Sequence, residues 1–172
     1  TVTGLVTPWM VSSPVAVVVN SDSSLATSTN NDIYVMGPDG SGRQAITNNL
    51  ANDNSPAYSP DSRYVAYLAM TVPGFEADRQ QVMLYERATG RRRSLTADWM
   101  SSVDAISWTP DSRALIAEVP ERGGVSLYRI EVTNGRRSLL VSGGVNRGAR
   151  VPPRGDEMVF VRSTADRPAE VW

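Results

Sequence analysis

Apolar residues in this chain come in short runs, broken by turns rich in Gly, Pro, Asn and Asp. Three runs stand out: Asp32-Ile33-Tyr34-Val35-Met36, Gln81-Val82-Met83-Leu84-Tyr85 and Val125-Ser126-Leu127-Tyr128-Arg129. Each leads into a turn, Asp39-Gly40-Ser41-Gly42, Thr89-Gly90 or Asn134-Gly135, and then into a shorter segment: Arg43 to Thr47, Arg91 to Thr96, or Arg136 to Leu140. Glycine at such sites supplies the positive φ of a tight hairpin, so each run and its follower is predicted to be a β-hairpin. Nowhere do apolar residues recur at three- and four-residue spacing over the ~10 positions a helix needs. The expected fold class is all-β.

A second element repeats between the hairpins. Tyr58-Ser59-Pro60-Asp61-Ser62-Arg63 precedes Tyr64-Val65-Ala66-Tyr67, and Trp108-Thr109-Pro110-Asp111-Ser112-Arg113 precedes Ala114-Leu115-Ile116-Ala117, matching position by position at a spacing of 50 residues. A third copy, Val151-Pro152-Pro153-Arg154-Gly155-Asp156 before Glu157-Met158-Val159-Phe160-Val161, puts Pro153 43 residues after Pro110 and has lost the Asp. Proline sets φ for the first corner of a turn, and the following Asp accepts bonds from nearby backbone N–H groups. Tyr58, Trp108 and the residues after each turn are expected to pack between neighbouring repeats.

One period then reads as four strands: the run, its hairpin partner, the strand entering the Pro-Asp turn and the strand leaving it. That is the content of a β-propeller blade. Approximate repeats fall at 32–69, 81–119 and 125–163, with incomplete blades at both ends, so residues 1–172 are expected to form a partial β-propeller of about three to four antiparallel four-stranded blades. Pro14 to Val19 reads as the last strand of an earlier blade, and Ala169-Glu170-Val171-Trp172 as the start of a fourth run. An open arc leaves blade faces uncovered, which predicts self-association or a covering partner.

Composition narrows the chemistry. The 172 residues carry no His and no Cys, which removes the usual general base, the thiol nucleophile and the usual transition-metal ligands. No catalytic triad is self-contained here, and no cofactor or metal is expected. The 17 basic residues, all Arg, balance 18 acidic ones for a net charge of −1, leaving no broad field for nucleic acid or an anionic membrane. No stretch approaches the ~20 apolar residues of a membrane span. A soluble chain in the cytoplasm or the periplasm fits equally.

Several polar clusters read first as structure. Asp39 and Ser41, and the stretch Asn48 to Asn54, offer oxygen atoms suited to Ca²⁺ but in no calcium-loop spacing; they read as turn residues bonding their own backbone. Arg91-Arg92-Arg93 lies on a strand, whose faces alternate, so at least one of these side chains should be solvated. Met70-Thr71-Val72-Pro73-Gly74-Phe75-Glu76-Ala77-Asp78-Arg79 differs, because it inserts between two regular strands and brings an aromatic, two carboxylates and a guanidinium to a blade edge. Such loops carry function. The simpler role is an ion pair of Arg79 with Glu76 or Asp78 that fixes the loop.

The Ser59-Pro60-Asp61 and Thr109-Pro110-Asp111 turns resemble the repeat of TolB-type propellers. The series Asn31-Asp32-Ile33-Tyr34, Ala51-Asn52-Asp53-Asn54-Ser55-Pro56, Pro73 to Arg79 and Val82-Met83-Leu84-Tyr85 resembles the N-terminal propeller of bacterial prolyl oligopeptidase family serine peptidases, in the dipeptidyl aminopeptidase and acylaminoacyl peptidase branch, over residues 14 to 172. Ser62 and Ser112 stand where that repeat has Gly. The resemblance implies a C-terminal α/β-hydrolase domain as partner, holding Ser, Asp and His, and a propeller that gates access for short peptides. It also implies that Glu76 or Asp78, with Arg79 beside them, holds a substrate's free amine. The alternative is a TolB-like or sensor-type propeller whose role is protein binding.

Overall fold

The computed structural model describes residues 14–20, 28–153 and 157–172. The expectations for Thr1 to Ser13, and for Arg154, Gly155 and Asp156 in the third turn, lie outside them. Among the described residues all regular structure is β-strand: β1 (Val15–Asn20), β2 (Asn31–Met36), β3 (Gln44–Ala45), β4 (Asp53–Tyr58), β5 (Tyr64–Ala69), β6 (Gln81–Glu86), β7 (Arg92–Ser94), β8 (Ala105–Trp108), β9 (Ala114–Glu121), β10 (Gly124–Glu131), β11 (Arg137–Val141), β12 (Val145–Arg150), β13 (Val159–Thr164) and β14 (Arg167–Val171).

Antiparallel pairing groups them as β1-β2-β3, β4-β5-β6-β7, β8-β9-β10-β11 and β12-β13-β14, the last two groups joined through a single parallel pair, Val125 with Val145. This corrects the phase of the repeat. The segments 32–69, 81–119 and 125–163 each straddle two sheets, because the strand leaving the Pro-Asp turn pairs with the run that follows it: β5 with β6, β9 with β10 and β13 with β14. A repeated motif shows the period but not which neighbour a strand bonds; sequential strands joined by a short connection pair most readily. Pro14 to Val19 is thus the counterpart of β5, and Ala169 to Val171 lies in the counterpart of β6.

Three cores separate the successive sheets. Ile33 and Ile46 of the first meet Val65, Tyr67 and Ala69 of β5. The opposite parity of the same strand, Ala66 and Leu68, faces Leu115, Ala117 and Val119 of β9. Ile116 of β9 in turn meets Ala149 and Phe160. A strand buried on both faces reads as a continuous apolar run instead of an alternating one, and Val65 to Leu68 are each at most 2% exposed.

The turns specify themselves. The Ser59 hydroxyl donates to Asp61 Oδ1 (2.6 Å), which also accepts the Arg63 N–H (3.1 Å), while the Tyr64 N–H donates to Ser59 Oγ (2.9 Å). Thr109, Asp111, Arg113 and Ala114 repeat the set at 2.6, 3.1 and 3.0 Å. Ser62 and Ser112 both sit at φ 59°, the left-handed conformation that explains glycine in the repeat they resemble. Where the third and fourth sheets meet, a Cβ on Gly124 would lie 2.3 Å from the Gly144 carbonyl oxygen, so only glycine permits the Val125 N–H to donate to that carbonyl at 3.0 Å.

Candidate functional site

The connection from β5 to β6 runs from Met70 to Gln80, whereas β9 and β10 are joined by Arg122-Gly123 alone, both at positive φ as a tight hairpin requires. The insertion is held at both ends. The Met70 N–H donates to the Asn52 carbonyl (2.9 Å), and the Gln80 carbonyl accepts the Val103 N–H (3.1 Å). Gln80 Oε1 accepts Asn54 Nδ2 (2.9 Å), and its N–H donates to Ser102 Oγ (3.1 Å). The loop is therefore seated on the segments that lead into β4 and β8.

Asp78 organises its interior. Its Oδ2 accepts the Thr71 N–H (2.6 Å), the Thr71 hydroxyl (3.0 Å) and the Val72 N–H (2.8 Å), and its Oδ1 accepts the Arg79 N–H (2.8 Å). These donors, the Thr71 amide foremost, hold its carboxyl below the usual range. Gly74, at the tip with φ 73°, donates its N–H to Thr29 Oγ1 (2.9 Å). Arg79 reaches the Thr96 carbonyl (3.3 Å) and takes no part in the ion pairs among the described residues. The loop-fixing contact is thus Asp78 on backbone amides instead of an Arg79 ion pair. Glu76 is exposed and has no hydrogen-bond or ion-pair partner among the described residues, and Val72 and Phe75 beside it are exposed.

Two buried acids were not among the substrate-binding candidates, although Asp53 lies in the Asn48 to Asn54 stretch read as turn residues. Asp53, at the start of β4, is 1% exposed; Asn49 Nδ2 donates to its Oδ2, and its Oδ1 has no hydrogen-bond partner among the described residues. Burial pushes its pKa up to about 6. Glu118 of β9 is also buried, accepting the Gly148 N–H (2.7 Å) and Arg147 Nη1 (3.5 Å), while Arg147 Nη2 donates to Asp104 (3.2 Å). An acid inside Ala114-Leu115-Ile116-Ala117-Glu118-Val119 breaks an otherwise apolar run, a signal visible in the sequence.

The arginine triplet, Arg91 just before β7 with Arg92 and Arg93 on it, makes structural contacts. Arg91 pairs with Glu86 in its own hairpin, Arg92 donates to Asn48 of the preceding repeat (3.4 Å), and Arg93 donates to the Val132 carbonyl of the following one. Asp39 likewise accepts the Ser41 N–H and hydroxyl as a turn residue. Among the described residues no three His, Cys, Asp or Glu side chains are grouped to hold a metal, and no helix is long and apolar enough to cross a membrane.

No family model matches the chain. It is similar in sequence to dipeptidyl-peptidase 5 of Porphyromonas gingivalis, with 26% identity over 146 residues, covering 84% of this chain and 21% of that protein. The chain therefore spans about a fifth of that relative's length. In fold it is similar to a putative TolB from Agrobacterium tumefaciens (TM-score 0.70, 19% identity, 89% of this chain and 51% of that one) and to an acylaminoacyl peptidase from Pyrococcus horikoshii (TM-score 0.64, 14% identity, 92% and 29%). The chain is a homologue of the dipeptidyl-peptidase 5 proteins with TolB-like propeller neighbours, and the resemblance read from its residues is borne out.

Proposed function

We propose that residues 1–172 are part of a β-propeller, of about three to four blades, that gates access and positions short peptides for a serine peptidase. The hydrolytic Ser, Asp and His then belong to an α/β-hydrolase domain of the same protein, since this chain has no His at all. The observation that carries this reading is the sequence similarity to dipeptidyl-peptidase 5 across 84% of the chain. The outer face of the fourth sheet, where Val159, Val161 and Val171 are exposed, is where a further blade packs; left bare, it is where copies self-associate.

Within this reading Glu76 is the group that receives the substrate's ammonium. Asp78 already spends both oxygens on its own loop, so its role is to hold Glu76 in place, and Arg79 anchors the loop to Thr96. A charge-assisted bond between carboxylate and ammonium strengthens as the cavity loses water. In the intact protein, Glu76→Gln should raise KM about 10-fold for dipeptidyl chromogenic substrates with a free N-terminus, and leave N-blocked ones unchanged. Equal effects on both classes would remove Glu76 from this role.

The TolB-like fold supports a second reading, a propeller that binds another protein. Hydrolysis of dipeptidyl substrates by the intact protein, abolished by a serine-directed inhibitor, decides for the peptidase. Its absence decides for the binding module.

A further inference from the structure

The interface between the third and fourth sheets has Phe160 in its core but lacks the stacked Tyr and Trp pair of the one before it. Between the second and third sheets, Tyr64 and Trp108 stack, and Trp108 Nε1–H donates to the Ala57 carbonyl (2.9 Å). One repeat later the counterparts of Tyr64 and Trp108 are Ala114 and Val151, by their places around Pro60, Pro110 and Pro153. Strand register adds a third exchange. Glu86 pairs with Tyr64 and Glu131 with Ala114, so Arg129 stands where Leu84 stands in the second sheet.

Two of these three positions, Val151 and Arg129, line a cleft of about 740 Å³, together with Ile116, Val141, Met158 and, at its polar side, Asp111. That volume lies within the range of small-molecule sites. Its charges are already answered: Arg129 Nε is paired with Glu131 (2.8 Å), and Asp111 accepts the Thr109 hydroxyl and the Arg113 N–H. With Glu157 also on the rim, an anionic ligand would meet net repulsion from the described residues. A neutral ring meets apolar walls and a guanidinium able to lie over its face.

We propose that this cleft binds a planar, uncharged aromatic group beside Val151, which stands where Trp108 stands one interface earlier. The test is an indole titration of the intact chain carrying methyl-labelled methionine, with Met158 assigned through Met158→Leu. The expected result is a saturable shift of the Met158 methyl, with Kd on the order of 1 mM for so small a ligand, and no matching shift of exposed Met100. Val151→Trp fills the cleft and should weaken binding at least about 10-fold; Val151→Phe serves if the larger residue prevents folding. No saturable Met158 shift in the unaltered chain, equal movement of Met100, or full binding in the filled variant would each overturn the proposal.

Discussion

Tyr64 and Trp108 stack across the boundary between the second and third sheets, ring centroids 6.5 Å apart and planes 17° from parallel. They occupy the first position after one Pro-Asp turn and the position before the next turn, so the contact joins two copies of one motif. Arg63 extends it, its guanidinium carbon 5.4 Å from the Tyr64 ring centre. Trp108→Ala removes the stacked ring and the bond to Ala57 together and should cost about 3 kcal/mol in chemical denaturation. Trp108→Phe keeps a ring without the donor and should cost about 1 kcal/mol. A Trp108→Ala loss no larger than that of Phe would mean the ring contributes nothing across the boundary.

Ser62 and Ser112 share φ 59° but not their surroundings. Ser112 Oγ accepts the Asp61 N–H across the sheet boundary at 3.0 Å, whereas the Ser62 contact is made by its backbone carbonyl, which accepts from Arg87 (2.6 Å) and survives substitution. Ser62→Gly relieves the left-handed strain and should stabilise by about 0.5–1 kcal/mol. Ser112→Gly gains the same relief and loses an inter-sheet hydrogen bond worth about 1 kcal/mol, leaving little net change. Thermal midpoints of the two variants should separate, with Ser62→Gly the higher.

Asp53 sets a pH dependence of known sign. Its carboxyl titrates at about 6 when folded, raised by burial from 3.8, so the folded state holds the proton more tightly than the unfolded chain. The stability it contributes is complete below pH 3.8 and is lost as pH rises through about 6, by on the order of 3 kcal/mol. Asp53→Asn keeps an oxygen for Asn49 and cannot ionise. Denaturation midpoints of the variant should exceed the parent's at pH 8 and converge with them at pH 4; a constant offset at all pH values would mean that Asp53 does not titrate in this range.

The period and the turns were legible in the sequence because the forces that make them are local. Ser59, Asp61, Arg63 and Tyr64 bond one another within six residues, and Asp39 bonds Ser41 two residues on. The Met70 to Arg79 insertion was visible because it interrupts a regular strand pattern, and either role, substrate carboxylate or partner of Arg79 in a loop-fixing ion pair, was open to Glu76. Asp78 was not distinguished from it, since which carboxylate turns inward on the amides of Thr71 and Val72 depends on the loop's path.

Tertiary structure decided what depends on partners distant in sequence. The same residues admit either grouping of strands, and the pairing of β5 with β6 places the sheet boundary inside the repeats read from the chain. Arg92 and Arg93 look alike in sequence, yet one reaches back to Asn48 and the other forward to Val132, because successive strand residues face opposite neighbours. Asp53 becomes a weak acid only when packing buries it beside Asn49, Thr47 and Tyr67. Turn identity, strand content and period were thus settled by the sequence through contacts a few residues apart, while sheet grouping, charge pairing and the ionisation of buried acids awaited the packing of one repeat on the next, which supplies their partners and removes their water.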